Sequence, residues 1–126
     1  MSPQIETALD EIRSRWPKAT VTSTEDEAGN VIVLVDPLDI GQQYKPIQSW
    51  IGFQLQYNYP DSDVYPHYIS PEVLRVDEQP HGSGFGSTDW RGSKVIQISR
   101  RTNDWNGAVD TAESKLIKVL DFIRSR

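Results

Sequence analysis

The stretch Ser49-Trp50-Ile51-Gly52-Phe53-Gln54-Leu55-Gln56-Tyr57 decides the fold class. Ile51, Phe53, Leu55 and Tyr57 occupy alternate positions, and Trp50, Gly52, Gln54 and Gln56 lie between them. A period of two belongs to a strand with one face in a core, because successive side chains leave a pleated backbone on opposite sides. Prolines at 60, 66, 71 and 80, after one at 46, then keep the chain extended. Each lacks an N–H and clashes with a preceding helical turn, so no helix is expected there.

Working outward, Val31-Ile32-Val33-Leu34-Val35 is an unbroken, largely β-branched run, the pattern of a central strand. Ala19 to Thr24 is β-rich, and Gly29-Asn30 supplies the turn that makes the two a hairpin. Asp36-Pro37 ends the second strand, and residues 37–46 read as a loop or wide hairpin connection. Residues 72–77 read as a short fourth strand, giving a four-stranded antiparallel meander. His81 to Ser87 is a glycine- and serine-rich loop without the strand-to-helix setting of a phosphate-binding motif. Val95 to Ser99 reads as a short strand or extended segment.

Helices flank the strands. Ser2 is positioned to cap, Pro3 suits the first helical position, and Ile5, Ala8, Leu9, Ile12 and Trp16 share a face before Pro17 stops the helix. Near the other end, Asp110-Thr111-Ala112-Glu113 reads as a capping box led by Asp110. Ala112, Leu116, Val119, Leu120 and Ile123 form the apolar stripe that follows. The predicted class is α+β: an N-terminal helix, the meander, a long loop and a C-terminal helix, in one domain spanning residues 1–126.

Composition narrows the chemistry. A formal charge of −5 and a pI near 4.9 disfavour nucleic acid as a partner, since displacing its counterions needs basic surface. The chain has no cysteine, which excludes disulfides, thiolate metal sites and thiol nucleophiles. His67 and His81 are too few for a histidine-based zinc site, so no metal and no cofactor is expected. No run approaches the roughly 20 apolar residues of a membrane span, and no signal peptide is apparent. A cytoplasmic protein without membrane contact is the expectation.

Several landmarks carry a resemblance. Tyr65-Pro66 with Pro71 follows the third strand, Gln97-Ile98-Ser99-Arg100-Arg101 leads to Asp104-Trp105-Asn106, and a helix closes the chain. This order resembles the ubiquitin-conjugating (E2-like, UBC/RWD-like) superfamily, and its wording is most similar to the prokaryotic E2 family E group. The resemblance covers residues 3–126 in element order. It implies two partners, a ubiquitin-like protein and an E1-like adenylating enzyme, and a place in a prokaryotic ubiquitin-like conjugation system. The chain departs from the pattern at the decisive point. Counting back eight residues from Trp105, the family's cysteine offset, lands on Gln97. His81 follows Pro80, so the family's "HPN" signature is not intact.

Two functional readings follow. In one, Ser99 or Thr102 accepts an acyl group as an oxyester, with His81 as base and Arg100 or Arg101 stabilising the oxyanion. In the other, the chain is a non-catalytic binding module of the E2-variant or RWD kind. Gln97, Arg100, Arg101, Trp105, Trp90 and Tyr65 are the candidate binding residues, because tryptophan, tyrosine and arginine dominate interface energetics. Tyr65, Tyr68 and His67 are placed together around a groove or turn. Trp105 reads as a core or rim anchor and Trp90 as a residue of a polar loop. Asp61, Asp63, Asp77 and Glu78 read as solvated loop carboxylates. An unrelated small α+β protein, such as an immunity or adaptor protein, is the third reading.

Overall fold

Helix α1 spans Pro3–Arg15 in the computed structural model, which describes all residues 1–126. The Ser2 hydroxyl accepts the backbone N–H of Ile5 at 3.2 Å, which satisfies a donor that the first turn leaves open. Eight strands follow: β1 (Thr20–Glu25), β2 (Val31–Asp39), β3 (Tyr44–Lys45), β4 (Gln48–Leu55), β5 (His67–Ile69), β6 (Leu74–Arg75), β7 (Phe85–Trp90) and β8 (Ser93–Ile98). Helix α2, Ala112–Arg124, comes last. The protein is α+β, with an antiparallel sheet between its two helices in sequence.

Six strands form the main sheet in the order β1-β2-β4-β5-β8-β7, every pair antiparallel. Val31, Val33 and Val35, then Ile51, Phe53 and Leu55, then Ile69 and Ile98, are each completely buried on one face. They meet Ile5, Leu9 and Ile12 of α1 and Leu116, Val119, Leu120 and Ile123 of α2 in a single core cluster. Sheet and helices hide one another's apolar faces, the arrangement the alternation in β4 called for.

The sheet is larger than the four-stranded meander read from the sequence. The fourth strand is His67–Ile69, not 72–77. His67 and Ile69 supply the inward alternation beside β4, whereas Leu74 and Val76 remain 57% and 52% exposed. Only Leu74–Arg75 is a strand, and it pairs with β3 in a separate two-stranded sheet. The long loop is also shorter than expected, because Phe85–Trp90 forms β7. It pairs with β8 across a two-residue turn, Arg91-Gly92, with φ of 55° and 79°. Both central residues are left-handed, the geometry that matches strand twist in a tight hairpin; glycine adopts it without strain.

The cap of α2 is displaced by one residue from the reading. Thr111, not Asp110, is the N-cap, and its box partner is Ser114. Asp110 instead accepts the backbone N–H of Asn106 at 2.8 Å. The predicted apolar stripe is buried throughout, and Lys115 is buried with it.

Candidate functional site

The segment after β8 is held against the β4–β5 connection by three anchors. The Trp105 indole N–H donates to the carbonyl of Pro60 at 2.7 Å. The Tyr59 hydroxyl accepts the N–H of Ala112, the first residue of α2, at 2.8 Å. The third anchor is ionic. Lys115 Nζ donates to both carboxylate oxygens of Asp63, at 2.8 and 3.1 Å, and to Thr102 Oγ1 at 2.6 Å. The backbone N–H of Thr102 donates to Asp63 Oδ2 at 2.7 Å. The side chain is 3% exposed and has three acceptors for its three protons, so no buried N–H is left unpaired. Asp63 is therefore not a solvated loop carboxylate: it joins α2 to the segment after β8.

A groove of about 580 Å³ opens above this anchor, lined in part by Tyr57, Asn58, Asp63, Tyr65, Arg101 and Thr102. The Arg101 guanidinium lies 4.4 Å from the Tyr65 ring centroid. A hydrogen bond with the Ser99 hydroxyl, and next the Arg101 side chain, hold the Tyr65 phenol below its ordinary value. The Gln97 amide donates to Ser99 Oγ at 3.2 Å. Tyr65, Arg101 and Thr102 thus line one mouth and Ser99 reaches Tyr65, while Gln97 lies opposite Tyr68 on the sheet face away from the helices.

The other candidates lie elsewhere. His81, placed in the sequence reading as base to Ser99 or Thr102, has Nε2 2.8 Å from the carbonyl oxygen of Val73. Its ring sits between Tyr44 at 6.0 Å and Phe85 at 5.3 Å, centroid to centroid. Arg100 turns away from Arg101 and lies 4.5 Å from the centroid of Phe122 on α2. Trp105 is half-buried against the core, as an anchor. Trp90 is not in a loop but on β7, facing the side of the sheet away from the helices.

That face carries a second concavity of about 500 Å³, lined by Thr20, Thr22, Leu34, Trp50, Trp90 and Arg91 among others. Trp90 stacks on Tyr68 with centroids 4.3 Å apart and on Trp50 at 6.4 Å. Its indole lies over Gly52: a Cβ there would fall 2.6 Å from Trp90 and 2.8 Å from Leu34. Absence of a side chain at 52 is what lets Trp90 reach the middle of the sheet. Tyr68 belongs to this face through Trp90 and Tyr65 lines the other groove, yet the two phenols are near enough that burial first, and then Tyr65, raise the Tyr68 pKa.

His67 was grouped with them and is instead completely buried on the helix side. Neither ring nitrogen has a hydrogen-bond partner, and its ring lies 5.1 Å from that of Phe53. Burial, and then the Lys115 charge, push its pKa down to about 3, so the imidazole is neutral at physiological pH.

Sequence reasoning missed Asp63, Lys115 and Trp50. One signal for Lys115 was present: it lies three residues after Ala112 and beside Leu116, within the apolar stripe of α2. A lysine there needs a buried acceptor. No protein family, curated protein or solved structure matches the chain.

Proposed function

We propose that this chain is a cysteine-less E2-like component of a prokaryotic ubiquitin-like conjugation system, acting as a binding module for a ubiquitin-like protein and an E1-like partner. The UBC-like assignment rests on element order and on the landmarks Tyr65-Pro66 and Trp105. The order helix, antiparallel sheet, closing helix supports it, as does the docking of the Trp105 segment against residues 59–63.

One observation carries the binding reading over the catalytic one: the groups that would activate the hydroxyls are engaged otherwise. The His81 ring is tied to Val73, and the Lys115 ammonium is neutralised by Asp63 while it donates to Thr102. A serine or threonine hydroxyl attacks poorly without a base to take its proton. The exposed Tyr65–Ser99–Arg101 mouth has the residue types that dominate interface energy. Its expected behaviour is stoichiometric binding without turnover.

A second reading draws on the Tyr65 phenol, whose pKa is lowered by contact with Ser99. Here Tyr65, in its phenolate form, would take the hydroxyl proton as Ser99 Oγ attacks the activated carboxyl carbon of a ubiquitin-like protein, and the adenylate or thiolate would leave. Incubation with a cognate E1-like enzyme, ubiquitin-like protein and ATP, read by intact mass, separates the two. Unmodified protein recovered in complex supports the module. A covalent adduct that resists thiols, yields to hydroxide and vanishes in Ser99→Ala would replace it with the oxyester enzyme. Absence of both complex and adduct would refute the conjugation reading.

A further inference from the structure

Five ion pairs are present: the N-terminus with Glu25, Arg13 with Asp10, Arg75 with Asp77, Lys94 with Asp89 and Lys115 with Asp63. Arg100, Arg101 and Arg126 have no carboxylate among them, in a chain with 18 acidic residues against 13 lysines and arginines. All three guanidiniums are mounted on aromatic rings instead. Arg100 and Arg126 each lie 4.5 Å from the Phe122 centroid, so their guanidinium carbons are within about 9 Å of one another. Arg101 lies on the far side of its segment, 4.4 Å from Tyr65. The Phe122 ring is itself fixed, 8% exposed and stacked on Phe85 at 5.6 Å.

These contacts have a chemical consequence. A guanidinium lying against a ring keeps its edge N–H donors free, and those donors match a carboxylate in bidentate fashion. Ring contact also removes side-chain freedom in advance, so less is lost when an anion binds. Two cations near one ring repel each other until a counter-charge arrives. Arg100 and Arg126 share one ring while Arg101 sits on the other side of its segment, so the first two present a pair of cations at most about 9 Å apart, a spacing that carboxylates two residues apart on an extended chain can match. A nucleic acid supplies spaced anions too, but a net charge of −5 opposes a continuous polyanion more than a short acidic stretch.

We propose that the strip Arg126–Phe122–Arg100 docks an acidic peptide segment of a protein partner. It stands apart from the conjugation reading, since an acidic peptide binds or fails to bind whatever becomes of a ubiquitin-like protein.

The test is fluorescence anisotropy of the full chain with a fluorescein-labelled ten-residue peptide of glutamates spaced by alanines, at low salt. Parallel titrations use inorganic phosphate as competitor and a single-stranded oligonucleotide of equal charge. Saturable binding is expected, weakened about tenfold by Arg100→Gln and again by Arg126→Gln, as for loss of a charge-assisted hydrogen bond. Arg100→Lys is expected to weaken it too, because the charge remains and the planar fork does not. Arg13→Gln, which removes a charge on α1, is expected to leave it unchanged; circular dichroism checks that each variant is folded. No saturable binding up to millimolar peptide would overturn the proposal. So would equal losses in the Arg13 variant, competition by phosphate at concentrations comparable to the peptide, or tighter binding of the oligonucleotide.

Discussion

Replacing His67 with leucine is expected to make the protein much less sensitive to mild acid. In the folded chain the imidazole is completely buried, lacks partners on both nitrogens and titrates at about 3, against 6.5 in an unfolded chain. Its charged neighbour is Lys115 of α2, whose ammonium is held by Asp63. Below pH 6.5 the unfolded chain takes up a proton that the folded one refuses, so acid favours unfolding. Stability attributable to this group is full above pH 6.5 and falls with pH toward 3 by about 1.4 kcal/mol per unit. At pH 5 the loss is about 2 kcal/mol, a large share of the 5–15 kcal/mol that holds a typical domain folded. Urea unfolding followed by tryptophan fluorescence measures it, at pH 7.5 and pH 5. Wild type is expected to lose about 2 kcal/mol more than His67→Leu between the two pH values. Carboxylates elsewhere contribute equally to both proteins and cancel in that difference. His67→Asn separates titration from polarity: it keeps a buried polar group but is expected to lose the pH dependence as leucine does. Parallel stability profiles for wild type and His67→Leu would refute the reasoning.

The Asp63–Lys115 pair gives a second test. Asp63→Ala leaves the buried ammonium without its counter-charge and is expected to cost about 3 kcal/mol or more, with Asp63→Leu/Lys115→Met recovering most of it in urea unfolding. Gly52→Ala places a methyl against Trp90 and Leu34 and is expected to cost about 1–3 kcal/mol, with a shift in Trp90 fluorescence; Ser93→Ala, in the same concavity, is expected to change little. Thr111→Ala removes the N-cap of α2 and is expected to lower stability by about 1 kcal/mol, read from the urea midpoint.

Much of the fold was legible because it depends on local periodicity. The alternation in β4, the β-branched run in β2, the Ser2–Pro3 start of α1 and the apolar stripe of α2 are each short-range patterns with a single structural solution. The β7–β8 hairpin was harder to see. Its first strand, Phe-Gly-Ser-Thr-Asp-Trp, has a weak alternation, and its turn carries arginine where asparagine or aspartate would be the usual signal. The short strand at His67–Ile69 was obscured by Pro66 and Pro71 on either side, and the apolar letters of residues 72–77 drew the assignment away.

Of the site, residue order alone supplies the inventory: no thiol, hydroxyls at Ser99 and Thr102, an Arg100-Arg101 pair, and tyrosine and tryptophan landmarks. Those are facts of composition and order, and they are enough to exclude a thioester on this chain. Which residues meet depends on how the elements pack. Asp63 and Lys115 are 52 positions apart and form a buried ion pair. Arg100 and Arg101 are adjacent in sequence and pack on rings from different parts of the fold. His67, two residues from Tyr65, faces the core, while Tyr65 faces the groove. Periodicity reports the face on which a side chain lies, whereas a site is made by faces from distant elements brought within a few ångströms, and that closeness arises only when the core packs.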